Sequence, residues 1–498
     1  MKHFKIFTSI LCLPLLFSFS LNKNNDSVSS VAYSQRRLEK YQQEALVLIN
    51  SVDLDLYRTS EANEITELIS QTSSRISNSN DFDEIDAIVS SFNRYVLTVK
   101  TDAELTKEEQ EAQTTEEGVY YISSLSELLE FRDDVNAGYN YLGETIKLTQ
   151  DIVIPSGQSF GEPIGKTQAN CFSGIFDGQN HKITNLKLSS TACAFIYFGT
   201  NCTVKNLSFE NVDITASTFR AAAVISRAES ITIDNVHVLS GTINGTKQNG
   251  GLVGTIVGGS TKSVIKNSSN AASVSSATIG STSAGVGTGG AVGYLYSGTV
   301  EVENVTNSGT ITSTTEGVGG VFGYVGLNSY KVGDDTYYYS NDLTIKNCVN
   351  DGNVTGAGNG TGGIFGASTD STKGGVKYTT IKVDNCTNNG AISGVGYAGG
   401  ISGLIRYSTT DSYIANCKNF GDVSASSTAC GGITGAARVD LYSCGCYHAC
   451  TLKVSSTTKL ASAASETGSP GYITIGYQTG CNTHTNNILI NLDGTAYN

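Results

Sequence analysis

A repeat runs through the last two-thirds of this 498-residue chain. Each unit has a β-branched or aliphatic residue two positions before an Asn, and a Gly-Gly pair follows further along. The Asn positions are Asn185, Asn206, Asn235, Asn267, Asn304, Asn347, Asn385 and Asn416, with Ser443 in the ninth place. Self-similarity at a period of about 20–45 residues is typical of a stacked solenoid. The repeat therefore predicts a fold in which each unit forms one coil.

The spacing inside the repeat shows where a coil can vary. The Asn and the second Gly stay almost equally far apart, as in 235 to 251, 304 to 320 and 347 to 363, whereas the step from 320 to 347 is much longer than that from 432 to 443. Strands must stay in register, but a loop can grow outward. Period-two alternation rich in Val, Ile and Thr, together with 55 glycines, favours strands over helices. We therefore expect parallel coils with one variable corner.

Parallel coils place equivalent residues above one another at about 4.8 Å. The Asn column would then form an amide ladder, as stacked Asn side chains do in cross-β structures. A turn-forming role is the alternative, because Asn tolerates the left-handed conformation. The predicted ladder consists of Asn267, Asn304, Asn347, Asn385 and Asn416.

Two motifs within the repeat resemble a known family. Asn-Cys-x-Asn-x-Gly-x-Val/Ile at 385–392 and Gly-Gly-Ile-x-Gly at 399–403 are similar to the GLUG-motif β-helix of bacterial surface proteins, and the segment 172–183 matches its first turns. The resemblance covers about 118–450. It implies a mainly β fold, a right-handed parallel β-helix of about nine or more coils. Such β-helices occur in adhesins and in the non-catalytic parts of large secreted enzymes.

The N-terminal part of the chain differs in composition from the repeat. Residues 1–20 have a basic start and an apolar stretch too short for a membrane span, which is typical of a secretory signal. Residues 35–112 are almost free of glycine and show helical periodicity, which predicts a small α-helical bundle. The end of this segment weakly resembles helical repeats of Gram-positive surface adhesins, which implies a stalk.

Residues 118–170 should form the start and cap of the β-helix, and 171–498 the repeat itself. A capping box, Ser124-x-x-Glu127, predicts a helix that ends at Gly138 and covers the open end of the solenoid.

The net charge limits the classes of partner, and the repeat positions of three cysteines predict where they pack. A net charge of −13 argues against binding nucleic acid or anionic membranes. Cys348, Cys386 and Cys417 follow the Asn directly and should pack inside the coil as small apolar residues.

Cys444, Cys446, His448 and Cys450 would share one face of a strand. That spacing could form a zinc site, but disulfides or packed thiols near the end of the solenoid are the favoured interpretation.

No sequence motif for catalysis is recognisable. The chain lacks His-Glu-x-x-His and a Gly-x-Ser-x-Gly nucleophile elbow, so we expect no enzyme activity and no cofactor. A polysaccharide-degrading β-helix enzyme is the alternative by fold analogy, and a purely structural spacer is a third possibility.

Tyrosines are concentrated where the repeat varies in length. Because the insertions occupy one corner of successive coils, they should form a Tyr-rich ridge along one edge, unless the tyrosines pack within their own loops or form a β-hairpin flap. Tyr suits sugars and protein surfaces alike. The expected function is a secreted adhesin or binding scaffold for an extracellular glycan or a host or cell-surface protein. The predicted contact residues are Tyr294, Tyr296, Tyr330, Tyr337, Tyr338, Tyr339, Tyr378, Tyr407 and Tyr413.

Overall fold

The structure is a computed structural model with two compact units, Met1–Ala112 and Gln113–Asn498. It describes residues 31–102, 105, 118–277, 286–332, 335–369 and, with short gaps at 370–371, 374–375, 407, 410 and 428, residues 372–438. Beyond 438 it describes only strand segments between 442 and 489. The expected signal at 1–20 lies outside the described residues.

The first unit contains the helical bundle. Its helices are α1 (Val31–Ile49), α2 (Thr59–Asn78) and α3 (Phe82–Val96), with a short 3-10 helix at Leu54–Leu56. Asp81 caps α3 by accepting a hydrogen bond from the backbone N–H of Asp83. The core consists of apolar residues at helical spacing: Ala45, Ile49, Ile76, Ile85, Ile88 and Phe92. The predicted bundle is confirmed.

In the second unit, helix α4 (Leu125–Ala137) follows the strand Val119–Ile122 and covers one end of the β-helix. Both hydrogen bonds of the capping box between Ser124 and Glu127 are present, and Gly138 ends the helix with a φ of 112°. Phe131 is buried, with its ring centroid 5.6 Å from that of Phe172 in the first coils. The helix thereby covers apolar side chains that an uncapped solenoid would expose.

The coils form four sheets, numbered here in chain order along a coil, and sheet 3 begins only at Asn249–Gly250. Sheet 1 contains the Asn corner, sheet 2 follows it, sheet 3 is short, and sheet 4 precedes the variable corner. The strands of sheet 1 are Val119–Ile122, Thr145–Leu148, Ile152–Val153, Ile175–Asp177, Lys182–Thr184, Thr203–Glu210, Thr232–Val238, Ser263–Lys266, Ser269–Asn270, Gly298–Glu303, Thr306–Asn307, Asn341–Lys346, Val349–Asn350, Thr379–Asp384, Thr387–Asn388, Tyr413–Ala415, Lys418–Asn419, Tyr442–Cys444, Tyr447–His448, Thr483–Thr485 and Ile488–Leu489.

The other three sheets complete the coil. Sheet 2 consists of Lys187–Ser190, Val212–Ala216, Gly241–Gly245, Ser273–Ser276, Ile311–Ser313, Val354–Gly356, Ile392–Gly394, Val423–Ala425, Thr451–Val454 and Thr457–Leu460. Sheet 3 consists of Asn249–Gly250, Thr288–Gly289, Val318–Gly319, Thr361–Gly362, Tyr397–Gly399 and Ala429–Gly431. Sheet 4 consists of Ile196–Thr200, Ile225–Glu229, Val253–Val257, Val292–Leu295, Phe322–Val325, Phe365–Ser368, Ser402–Arg406, Thr434–Arg438 and Gln478–Thr479.

The coils pair in parallel and in the register of the sequence repeat. In sheet 1, Val302 pairs with Ile345, Ile345 with Val383, and Val383 with Ile414. All four side chains are fully buried in one apolar column. The mainly β solenoid fold is therefore a parallel β-helix, as the repeat predicts.

The cysteines that follow the Asn lie inside the coil, as predicted. Cys348, Cys386 and Cys417 are fully buried and are free thiols. Each thiol lies near carbonyl oxygens of its own coil and of the preceding one, as Cys386 does near Asp384 and Ile345. They act as small apolar side chains with weak S–H donors.

The outer Asn column forms corners and not the continuous ladder that the sequence analysis predicts. Asn267, Asn304, Asn347, Asn385 and Asn416 all have φ between 50° and 54°. Side-chain hydrogen bonds join Asn304 to Asn267 and Asn385 to Asn347. The side-chain amide of Asn267 instead donates to Asp234, and that of Asn416 donates to Asp384. Asn is favoured here because it tolerates the left-handed conformation.

A continuous amide ladder exists three residues after each corner. Its members are Asn270, Asn307, Asn350, Asn388 and Asn419, each at most 1% exposed. Every side-chain amide donates to the next Asn oxygen along the solenoid, at 2.7–2.9 Å, except that of Asn419. Each also donates to the carbonyl oxygen two residues later, at 2.8–3.0 Å.

The buried ladder explains the Gly-Gly pair. A Cβ on Gly363 would lie 2.3 Å from Cγ of Asn388 and 2.1 Å from the backbone oxygen of Gly400. Real Cβ atoms do not approach other atoms so closely, so only glycine leaves room for the ladder.

Candidate binding surface at the variable corner

Most of the length variation of the repeat lies at the corner between sheet 4 and sheet 1, apart from a longer connection between the sheet 2 strand Ser273–Ser276 and the sheet 3 strand Thr288–Gly289. Two antiparallel hairpins occupy this corner, Ser329–Val332 with Asp335–Tyr338, and Thr372–Lys373 with Val376–Lys377. They begin after the sheet 4 strands Phe322–Val325 and Phe365–Ser368. The predicted variable corner is therefore present, and its larger insertion is a hairpin.

The first hairpin presents tyrosines to solvent. Tyr330 pairs with Tyr337 across its two strands, and their ring centroids are 5.5 Å apart at an interplanar angle of 21°. Tyr339 extends the contact, with its ring centroid 4.9 Å from that of Tyr330. Tyr330 is 43% exposed and Tyr337 is 46% exposed. Two parallel aromatic rings are therefore accessible on one face of the hairpin.

The exposed rings continue into the solenoid through further aromatic contacts. Centroid distances are 5.9 Å between Tyr339 and Tyr296, 6.5 Å between Tyr296 and Tyr294, and 6.1 Å between Tyr294 and Tyr324. The tyrosine array, as named below, comprises Tyr294, Tyr296, Tyr324, Tyr330, Tyr337 and Tyr339. It connects a surface hairpin with a rigid sheet.

Tyr294 does not belong to an exposed ridge, which corrects the prediction for this residue. It is 3% exposed and Tyr324 is 4% exposed. Backbone covers this part of sheet 4: a Cβ on Gly317 would lie 2.3 Å from Cδ2 of Tyr324. Burial raises the pKa of Tyr294 to about 12.

Asn328 ties the base of the hairpin to Tyr294 and Tyr296. Its Nδ2 donates to the hydroxyl oxygen of Tyr294 at 3.2 Å and to the carbonyl oxygen of Tyr296 at 2.8 Å. The buried tyrosine therefore acts as an anchor for the exposed ones and not as a contact residue.

The remaining predicted tyrosines lie elsewhere. Tyr338 and Tyr378 are partly buried and contact each other at a centroid distance of 5.5 Å. Tyr413 lies in sheet 1 opposite Lys382, and in the described part of the chain no ring contact joins it to the array. Tyr407 lies outside the described residues. The nine predicted tyrosines are thus not one contiguous ridge.

The predicted zinc residues fall in the part of the chain whose side chains are not described. Cys446 and Cys450 are outside the described residues, and only the backbone strands contain Cys444 and His448. Among the side chains that the structure describes, no three His, Cys, Asp or Glu residues are grouped as metal ligands would be. The zinc site stays a prediction.

The outer face of sheet 4 carries a polar and aromatic column that the sequence analysis missed. Register places Phe198, Arg227, Thr255, Tyr294 and Tyr324 above one another on consecutive strands. Each of the last four comes seven residues after a residue with positive φ, namely Arg220, Gln248, Gly287 and Gly317. This constant offset is visible in the sequence only after the strands are aligned, because the loops between coils differ in length.

Comparisons with known proteins identify no family. No protein-family model matches the chain. A segment of 99 residues, 19% of this chain, is 35% identical to Halomucin from Haloquadratum walsbyi, and it spans only 1% of that protein. The crystal structure of a "putative immunoglobulin A1 protease" from Bacteroides ovatus is similar over 74% of this chain and 85% of its own, with 21% identity and a TM-score of 0.38.

None of the helices that the structure describes has both the length and the apolar character of a membrane span.

Proposed function

We propose that this protein is an extracellular, non-catalytic binding scaffold that contacts a glycan or a protein surface through Tyr330 and Tyr337. The observation that carries the proposal is the pair of parallel, exposed rings on a hairpin at the variable corner. The basic and apolar N-terminal sequence supports an extracellular location.

The pair suits recognition because its rings are already positioned. Stacking of Tyr330 on Tyr337 and contact with Tyr339 restrict the side chains before any ligand arrives. A ligand then loses less free energy to ordering, since association otherwise costs about 0.5–1.5 kcal/mol per immobilised side chain. Each Tyr offers an apolar face for a sugar ring or an apolar side chain, and a hydroxyl for hydrogen bonds.

The scaffold beneath the hairpin is rigid. Asn341, at the start of the strand after the hairpin, donates to the carbonyl oxygen of Gly326 at 2.8 Å, and Asn328 holds Tyr294. The first bond joins the two ends of the insertion to each other, and the second links its base to the preceding coil. A binding surface carried on fixed strands keeps its geometry better than one on a free loop.

The test compares Tyr330→Ala, Tyr337→Ala and the double variant with the unchanged chain on immobilised glycans and matrix proteins. Tyr139→Ala is the matched control, because Tyr139 is 49% exposed but lies at the cap, away from the variable corner. We expect the double variant to lose retention and the control to keep it. Equal retention of all variants would contradict the assignment of the contact surface.

Thermal melting separates loss of binding from loss of folding. An exposed cross-strand aromatic pair contributes roughly 0.2–1 kcal/mol, so the double variant should melt close to the unchanged chain. A large drop in melting temperature would mean that the rings are structural.

A further inference from the structure

Two arginines lie on the outer side of sheet 4 near the start of the repeat. Arg227 is in the strand Ile225–Glu229, and Arg220 lies in the segment that covers this strand. Ser226 Oγ donates to the carbonyl oxygen of Arg220 at 2.7 Å. A Cβ on Gly254 in the next strand would lie 3.2 Å from Cα of Arg220. Both side chains are partly buried.

Neutral groups surround the two guanidinium groups. Arg220 Nε donates to Oε1 of Gln248 at 3.1 Å, and its Cζ lies 4.4 Å from the Phe219 ring centroid. Arg227 Nη1 approaches Oε1 of Gln168 at 3.4 Å, and its Cζ lies 5.4 Å from the Phe198 ring centroid. These contacts fix the direction of both side chains without neutralising them.

Within the described part of the chain, neither arginine forms an ion pair with a carboxylate. Glu229 is two residues beyond Arg227 on the same strand, but no salt bridge joins them. Burial, and then the positive charge of Arg227, lower the pKa of Arg220 from its ordinary value. Two partly buried cations without a carboxylate among their described neighbours thus lie on one side of sheet 4, and such an arrangement favours binding of an anion.

The same sheet shows how the fold neutralises an arginine elsewhere. Arg406 is at the end of the strand Ser402–Arg406, and its Nη2 lies 3.5 Å from Oε1 of Glu316. Asn359 Nδ2 also donates to this carboxylate, at 2.9 Å. The described coils thus place a carboxylate beside Arg406 but not beside Arg220 and Arg227.

The arginines are connected to the tyrosine array. Arg227, Thr255 and Tyr294 occupy one column on three consecutive strands, so Arg227 and Tyr294 are roughly 10 Å apart at about 4.8 Å per coil. Tyr294 also lies close enough to Arg220 to influence its pKa. A chain molecule running along the solenoid could therefore reach from the arginines to the hairpin.

We propose that Arg220 and Arg227 bind the oxyanions of an acidic polysaccharide, carboxylate or sulfate, while its sugar rings contact Tyr330 and Tyr337. The proposal rests on the proposed function and names its ligand class. Guanidinium groups match both oxyanions because their planar N–H donors can bond two oxygens at once. A polymer can contact the arginines and the hairpin at the same time although they lie on different coils, whereas a single small anion cannot.

The experiment measures binding of the full chain to polygalacturonic acid, dextran sulfate and unmodified dextran by affinity electrophoresis. The variants are Arg220→Gln and Arg227→Gln. Gln is compatible with position 220 because Gln248 occupies the equivalent position of the next coil with a φ of 60°. Arg406→Gln is the matched control, since it changes the net charge equally on the same sheet.

We expect each of the two variants to weaken binding of an acidic polymer by about tenfold or more, as loss of a charge-assisted hydrogen bond does. Arg406→Gln should leave it nearly unchanged. Binding of polygalacturonic acid would identify carboxylate as the ligand group, and binding of dextran sulfate alone would identify sulfate. If Arg220→Gln does not fold, Arg227→Gln gives the same test, because Arg227 lies in the strand Ile225–Glu229 and not in the segment that covers it.

Other outcomes would overturn the proposal. Unchanged binding of the acidic polymers in both variants, or an equal loss in Arg406→Gln, would show that the arginines are not the site. Retention of unmodified dextran alone would also overturn it while leaving the tyrosine surface intact. If, in addition, the test of the proposed function shows no retention on any glycan or matrix protein, the proposed function fails as well.

Discussion

Replacing Asn350 by Ala should destabilise the β-helix far more than a change at the neighbouring corner. Asn350 is fully buried, donates to Gly352 at 2.8 Å and to Asn388 at 2.7 Å, and accepts from Asn307 at 2.8 Å. Ala removes all three bonds. Inside the coil, Nδ2 of Asn307 then lacks one acceptor, and the carbonyl oxygen of Gly352 and Oδ1 of Asn388 each lack a donor.

The expected loss of stability in Asn350→Ala follows from these three unpaired groups. A buried polar group that loses its partner costs about 1–3 kcal/mol, so the three together should cost at least about 3 kcal/mol. The control is Asn347→Gly at the exposed corner, where φ is 54° and glycine is unstrained. This change removes one exposed acceptor from Asn385 and should cost about 1 kcal/mol.

Native-state hydrogen exchange suits the comparison because solenoid stability is local. Each coil contributes its own free energy and that of its interfaces with neighbouring coils. We expect the opening free energy of the amides in Val354–Gly356 and the adjacent strands to fall by about 3 kcal/mol or more in Asn350→Ala. A decrease no larger than that of Asn347→Gly would refute the role of the buried ladder.

Three further predictions concern the coil interior. Gly363→Ala should lower the melting temperature markedly because the new Cβ would meet Gly400 backbone and Asn388, whereas no change would disprove the crowding. Thiol reagents should modify Cys348 only after unfolding, since it is fully buried and burial raises its pKa; rapid reaction of the native protein would contradict this. The raised pKa of Tyr294, about 12 against an ordinary 10, means that the folded state holds its proton longer, so stability present below pH 10 is lost as pH rises through 12. Tyr294→Phe should reduce this loss in urea unfolding measured at pH 9 and pH 11, and an unaltered pH dependence would be evidence against it.

Features that depend on local chemistry could be predicted from the sequence. The repeat spacing identified the coils and their variable corner, and Ser124 with Glu127 identified the cap helix. Cys386 could be placed inside the coil because it follows the corner Asn at a fixed position. These signals are local, so no knowledge of loop conformation was needed.

The ladder was assigned to the wrong Asn because the corner interrupts the period-two alternation. The repeats that begin at 267, 304, 347, 385 and 416 have Asn both at the position of Asn385 and at that of Asn388, and the alternation by itself does not show which one points inward. The left-handed conformation of Asn385 turns the chain, so that Asn388 faces the interior.

The candidate binding surface was only partly predictable for a similar reason. Exposure of a tyrosine depends on what covers it, and the backbone at Gly317 covers Tyr324 while the hairpin leaves Tyr330 free. The pair formed by Arg220 and Arg227 depends on strand register and on the absence of a carboxylate among the described neighbours, neither of which a single sequence shows.

The measurement that tests the central claim most directly is retention of the full chain on a panel of polysaccharides and matrix proteins, with released sugar assayed in the supernatant. A non-catalytic scaffold predicts retention that depends on Tyr330 and Tyr337, with no release of fragments over time. Release of soluble sugar would instead indicate a polysaccharide-degrading enzyme and contradict the account. Absence of retention on every ligand would contradict it in favour of a structural spacer.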